Sequence, residues 1–195
     1  METREYLKQL RQDIVFNETL CAHPLTFHTT WGVFSPREVD EGSRLLLDLM
    51  TIHPADDCLD LGCGYGPIGI TMAKQAPQGH SLLVDKDYVA VDYANKNIQR
   101  NGIVNAEARL SNGFSAVGER RFDVIASNIP AKVGNEMLTL FMHDALAHLK
   151  PGGRIYVVTI NGLRQYIKRN FNEVFGNYDK LKQGKSYTVA MAVKR

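Results

Sequence analysis

Long apolar runs are missing from this chain of 195 residues, and no stretch approaches the roughly 20 residues that a membrane-spanning helix needs. The charged start, METREYLKQLRQD, lacks the apolar core of a signal peptide, so a cytoplasmic location is expected. Cysteine occurs only three times, at 21, 58 and 63, and an odd number cannot all pair within one chain. The last two are not spaced as a C-x-x-C redox or zinc motif, and reduced, buried thiols are the expectation. Six histidines form no H-E-x-x-H pattern, and no metal is expected. Low-complexity tracts, internal repeats and linkers are also absent, and the length suits one domain better than two.

A strong overall charge is lacking too, since the net value is +2, but that value hides an asymmetry. Residues 150–195 hold ten Lys/Arg and two acids, a balance of +8, so the rest of the chain carries −6. Such a segment could meet a polyanion, or it could be a solvated edge protected by lysines.

Strand and helix patterns alternate after residue 50. CLDLGCG, SLLVD, NAEARLSN, FDVIASN, RIYVVTI and YTVAMAVK read as strands. DYVAVDYANKNIQRNG reads as a helix closed by Gly102, with Val89, Tyr93 and Ala94 on its apolar face. GNEMLTLFMHDALAHL reads as another, with Leu138, Phe141, Ala145 and Leu149 at helical spacing and KPGG as its stop. LRQYIKRNFNEVF is a further helix. Upstream, Ser35, Pro36 and Glu38 read as a capping box on a proline start, followed by a stripe of Leu45, Leu46 and Leu49. Alternating β and α predicts an α/β fold, a mostly parallel sheet with helices on both faces.

DLGCGYGPIG, residues 60–69, ends the first of these strands and opens a helix. Gly64, Gly66 and Gly69 match the dinucleotide pattern G-x-G-x-x-G, but that pattern alone is weak. Pro67 removes an N–H from the turn where a pyrophosphate would sit, and Asp60 puts a carboxylate beside it. S-adenosylmethionine (SAM) fits better, because it carries a sulfonium and an ammonium and no phosphate. Asp85, at the end of the second strand, is placed for ribose hydroxyls, as an acid also is for NAD.

These motifs, with N-I-P-A at 128–131 and KPGG, resemble class I SAM-dependent methyltransferases. GVFS at 32–35, D-x-G-S at 40–43, SNGFS at 111–115 and N-x-P-x-x-x-G at 128–134 look more narrowly like the "methyltransferase small" family. That family includes enzymes that methylate N2 of guanine in small-subunit ribosomal RNA. The likeness covers about residues 28–195. It implies a Rossmann-like, seven-stranded sheet with an antiparallel C-terminal strand, in a single domain of 1–195. Residues 1–30 would be an N-terminal extension and 31–195 the catalytic core. Relatives of this type carry a further N-terminal domain, so substrate recruitment is expected to differ.

The resemblance also implies site residues. Asp60, Gly62, Cys63 and Gly64 would hold the methionine part of SAM. Asp85 and Lys86 would lie at ribose and adenine, Asn112 and Gly113 at adenine, and Phe34 over the cofactor. Asn128, Ile129 and Pro130 would form the transfer site, with Asn128 also beside the cofactor. An exocyclic amine is a poor nucleophile until two acceptors turn its lone pair toward the methyl, which is a matter of positioning. The Asn128 side chain and the residue-129 carbonyl can supply both. Ile129 replaces a proline but precedes Pro130, which keeps it extended. The family's aromatic is Ala131 here, so Phe34, Tyr65 or Trp31 would have to stack on the base, a contact worth about 1–3 kcal/mol. The expected function is methylation of an RNA base, guanine N2 in ribosomal RNA, with S-adenosylhomocysteine as product and RNA or a ribosomal subunit met by the basic C-terminal segment. Alternatives are a small-molecule or protein amine as acceptor, or a SAM-binding module without catalysis; an NAD-dependent oxidoreductase ranks last.

Overall fold

The structure, a computed structural model, describes residues 3–130 and 132–195. After a short helix α1 (Thr3–Leu10), strands β1 (Ile14–Leu20) and β2 (His23–Thr29) form an antiparallel hairpin. Seven further strands build one sheet: β3 (Cys58–Leu61), β4 (Ser81–Asp85), β5 (Ala106–Leu110), β6 (Phe122–Asn128), β7 (Leu149–Ile160), β8 (Asp179–Gln183) and β9 (Tyr187–Val193). Their spatial order is β5-β4-β3-β6-β7-β9-β8. The four pairings from β5 to β7 are parallel, and β9 inserts antiparallel between β7 and β8. The expected seven strands and antiparallel C-terminal strand are therefore present.

The central parallel strands β3 and β4 are short, apolar and buried on both faces, which is why CLDL and SLLVD carry no alternation. Helices α2 (Glu41–Leu49), α3 (Pro67–Gln75), α4 (Tyr88–Arg100), α5 (Asn135–His148) and α6 (Arg164–Phe175) cover them. Two apolar clusters result. One joins α2, α3 and α4 to the sheet, and the other joins α5 and α6 to it.

The hairpin belongs to the first cluster, where Leu20, Leu25 and Phe27 are buried with Leu46, Ile70 and Ala94. Its outer edge is met by side chains rather than by a strand. Asn97 Oδ1 accepts from the His28 N–H (2.8 Å), and its Nδ2 donates to the His28 carbonyl (2.9 Å). Asn101 does the same at Thr26, both at 2.9 Å. Four residues of helix advance about 6 Å, close to the rise of two strand residues, so the two amides match the strand's repeat.

Four local expectations change. The helix after GVFS starts at Glu41 rather than Pro36. Asp40 is its N-cap, accepting from the Ser43 N–H at 3.2 Å, while Ser35 sits at φ +48° and donates its hydroxyl to the Glu38 carbonyl. In that helix Leu46 and Leu47 are buried, and Leu45 and Leu49 only half-buried. Val89 is 42% exposed, because α4 turns Ala90, Val91, Tyr93 and Ala94 toward the sheet instead. KPGG does stop α5, which ends at His148, but as strand rather than as a turn: it lies in the first residues of β7, where the Gly152 N–H donates to the Lys194 carbonyl.

Candidate active site

Strand order reverses between β3 and β6, and the crevice at the carboxyl ends of such strands is where open α/β sheets bind ligands. A cavity of about 460 Å³ lies there. The loop after β3 forms its floor, with Gly62 at φ +79° and Gly64 at φ +55°. The tip of β4 ties this loop down. Val84's carbonyl accepts from the Gly62 and Cys63 N–H groups (2.9 and 3.0 Å), and Asp85 Oδ2 accepts from Gly64 N–H (2.9 Å). Asp85 Oδ1 accepts from Asp87 N–H (3.0 Å), which fixes the carboxylate at the cavity wall. Lys86, Asn112, Gly113, Phe34, Asn128, Ile129 and Pro130 also line the cavity. Of the residues expected from the sequence, the structure thus brings together all but one.

The exception is Asp60. It is fully buried beneath the loop, with Oδ2 accepting from the Gly69 N–H at 2.7 Å inside α3. Among the described residues its Oδ1 has no hydrogen-bond partner. Burial lifts this carboxyl to about 7; the Gly69 bond pulls it partway back and the Asp85 carboxylate pushes it up. Asp60 therefore braces the loop from below, because its strand position points it at the helix. Burial likewise raises the Cys63 thiol, with Asp60 and Asp85 adding to the effect. The dinucleotide reading of Gly64, Gly66 and Gly69 has no support here. A Cβ on Gly66 would meet Ile70 and Leu83 at 3.0 and 3.2 Å, and one on Gly69 would lie 2.3 Å from Leu83 Cγ. These glycines let α3 press onto the sheet.

The loop after β6 forms the opposite wall. Ile129 N–H donates to the Val158 carbonyl (3.0 Å), so the chain stays extended past the strand end. Asn128 Nδ2 donates to Asp40 Oδ2 (2.8 Å) and to Ser43 Oγ (3.0 Å), both on the first turn of α2. Position 131, where the expected aromatic is replaced by alanine, lies outside the described residues. Of the rings expected to stand in, Tyr65 borders the cavity but is buried in the core against Phe16 and Phe27, donating to the Glu38 carbonyl at 3.1 Å. Trp31 lies outside the cavity wall, with the Arg37 guanidinium 4.8 Å over its ring. Phe34 does line the cavity and is 66% exposed. Phe141, which helical spacing assigned to the packed stripe of α5, also reaches the wall and stands directly over Gly113. No sequence signal separates that role from packing.

The basic C-terminal segment does not act as one face. Lys150 pairs with Asp57 (2.8 Å) and Asp123 (2.7 Å), and Arg154 with Asp56 (2.8 Å). These pairs sit at the amino ends of the strands, opposite the cavity. Lys194 donates to the Leu149 carbonyl at 2.8 Å. Arg164, Lys168 and Lys180 gather at a separate groove beside Tyr178.

The family model for the methyltransferase small domain matches residues 24–191. The chain belongs to this family. Relatives share its sequence over most of the chain. It is 33% identical over 173 residues to the Bacillus subtilis protein YbxB, which covers 87% of this chain and 86% of that one. It is 34% identical to ribosomal RNA small subunit methyltransferase C of Escherichia coli, over 87% of this chain and 49% of that one. Among solved structures, Thermus thermophilus 16S rRNA N2 methyltransferase RsmC, in complex with AdoMet and guanosine, superposes with a TM-score of 0.85 at 30% identity, over 94% of this chain and 51% of that chain. The chain spans about half the length of these methyltransferase C relatives. Among the described residues, no helix is long and apolar enough to cross a membrane, and no group of three or more His, Cys, Asp or Glu could hold a metal.

Proposed function

We propose that the chain is a SAM-dependent N-methyltransferase that acts on an exocyclic amine of an RNA base, with guanine N2 of small-subunit ribosomal RNA as its target. The observation that carries the reading is Asn128. Both of its amide hydrogens are engaged inside the protein, so its carbonyl oxygen is what it offers an incoming N–H group, at the wall of the cavity that also holds Asp85 and the glycine loop.

The residues present fit SAM. A Cβ on Gly62 or Gly64 would meet nothing within 4 Å, so the floor leaves room for a ligand against the backbone. Asp85 offers carboxylate acceptors at the tip of β4 for ribose hydroxyls, and Lys86, Asn112 and Gly113 frame the adenine side. Phe34 and Phe141 supply apolar surface, and the wall holds acids rather than a phosphate cradle. When bound, SAM supplies an electrophilic methyl group on sulfonium sulfur. The chain's part is positioning. Asn128 Oδ1 and the Ile129 carbonyl accept from the amine's two N–H groups and turn its lone pair inward, while Pro130 keeps residue 129 extended. Phe34 is the ring best placed to take the stacking role.

The test is transfer of label from SAM to unmodified small ribosomal subunits and to naked ribosomal RNA, with the modified nucleoside identified. Label at guanine N2 is expected. Asn128→Ala should lower kcat by about 100-fold while SAM binding is kept. Label found only on protein or metabolites would move the acceptor to a different amine, and SAM binding in calorimetry with no transfer anywhere would leave a binding module.

A further inference from the structure

The D-E-G-S segment at 40–43 carries a family likeness, and two of its four residues, Asp40 and Ser43, converge on the Asn128 side chain. Asp40 Oδ2 accepts from Asn128 Nδ2 at 2.8 Å while also capping α2. Ser43 Oγ accepts from the same nitrogen at 3.0 Å. Asp40 Oδ1 in turn accepts from the Tyr187 hydroxyl at 3.0 Å, a contact between residues 147 positions apart. Gly42 is where the Tyr187 ring crosses the first turn of α2. A Cβ there would lie 2.8 Å from Asp40 Oδ2 and 3.0 Å from Tyr187 Cε1. Burial and the Asp40 carboxylate both raise the Tyr187 hydroxyl above its ordinary value, so it remains a donor.

A carboxylate can only accept, so Asp40 decides which end of the Asn128 amide faces it. The flipped amide would set two oxygens 2.8 Å apart with no proton between them. Resting on the transfer reading above, we propose that Asp40, Ser43 and Tyr187 are positioning residues that lock Asn128 as an obligate acceptor. The site then selects methyl acceptors that present an N–H at the reacting nitrogen and rejects those that present a bare ring nitrogen or a carbonyl. Tyr187 acts through Asp40, and Gly42 is what lets it reach.

Tyr187→Phe removes one hydroxyl and leaves the ring against Gly42. The expected result is a kcat lowered by about 3- to 10-fold, the worth of one hydrogen bond, with KM for SAM unchanged and the thermal midpoint lowered by no more than about 4 °C. In an Asp40→Ala background the same change should add nothing, since its route is already cut. Equal losses in both backgrounds, or a loss seen in KM for SAM, would overturn the proposal. A second readout is independent of transfer. The Asn128 side-chain amide protons, assigned by their disappearance in Asn128→Ala, should exchange slowly with water in the wild type and faster in Tyr187→Phe. Fast exchange in the wild type, or no change in the variant, refutes the bracket. If the wild type transfers no methyl to any RNA, the RNA-base reading falls, and the amide exchange still decides the bracket.

Discussion

Asp60 lets a buried charge be weighed. In the unfolded chain its carboxyl titrates near 3.8, and in the folded protein near 7, mainly because burial strips water from the charged form. Below the unfolded value both states are protonated and the group contributes nothing. Between the two values the unfolded chain releases its proton while the folded one keeps it. The folded state then binds more protons, so stability falls as pH rises, and above 7 the whole cost is in place. Three units at 1.36 kcal/mol each make that cost about 4 kcal/mol. Asp60→Asn keeps an oxygen for the Gly69 N–H and cannot ionise. Urea unfolding of both proteins from about pH 4.5 to pH 8 should show their stability difference shifting by about 3 kcal/mol in favour of the variant, other titrations cancelling in the subtraction. A difference that stays flat within about 1 kcal/mol, or shifts toward the wild type, refutes the reasoning.

Gly69→Ala sets helix propensity, which favours alanine by about 1 kcal/mol, against a methyl placed 2.3 Å from Leu83 Cγ in a fully buried contact. Overpacking of about 1–3 kcal/mol should win, and a lowered denaturation midpoint checks it. Ala22→Gly acts in the opposite direction. Ala22 is exposed at φ +65°, so glycine should relieve left-handed strain of about 1–2 kcal/mol against a smaller entropic loss, and the thermal midpoint should rise.

The sheet centre was legible because parallel strands buried on both faces must be apolar runs, and β3, β4 and β6 end where the glycine loop, Asp85 and Asn128 mark the crevice. The hairpin was not. Its two-residue turn has positive φ at both Cys21 and Ala22, and neither is the glycine or asparagine that announces such a turn. Strand β8, DKLKQ, escaped because it is a charged edge with only Leu181 half-buried. Ser35 and Asp40 have equal local claims to cap a helix, and the choice fell to Asp40 through Tyr187 and Asn128, partners far away in sequence. For Asp60 the residue type and the strand end were readable, but the face was not. Its neighbours Leu59 and Leu61 are buried as well, so no alternation told the two sides apart.

The asparagine pair on α4 has a consequence for how the molecule behaves in company. A two-stranded hairpin ordinarily leaves a row of backbone groups open, a template on which another chain can pair and begin to aggregate. Here Thr26 and His28 have their outward N–H and carbonyl groups already occupied by Asn101 and Asn97. Side-chain amides, peptide groups in miniature, take the place of the missing strand. The edge is closed by mimicry rather than by charge, and at the next outward position Pro24 has no N–H to offer another chain.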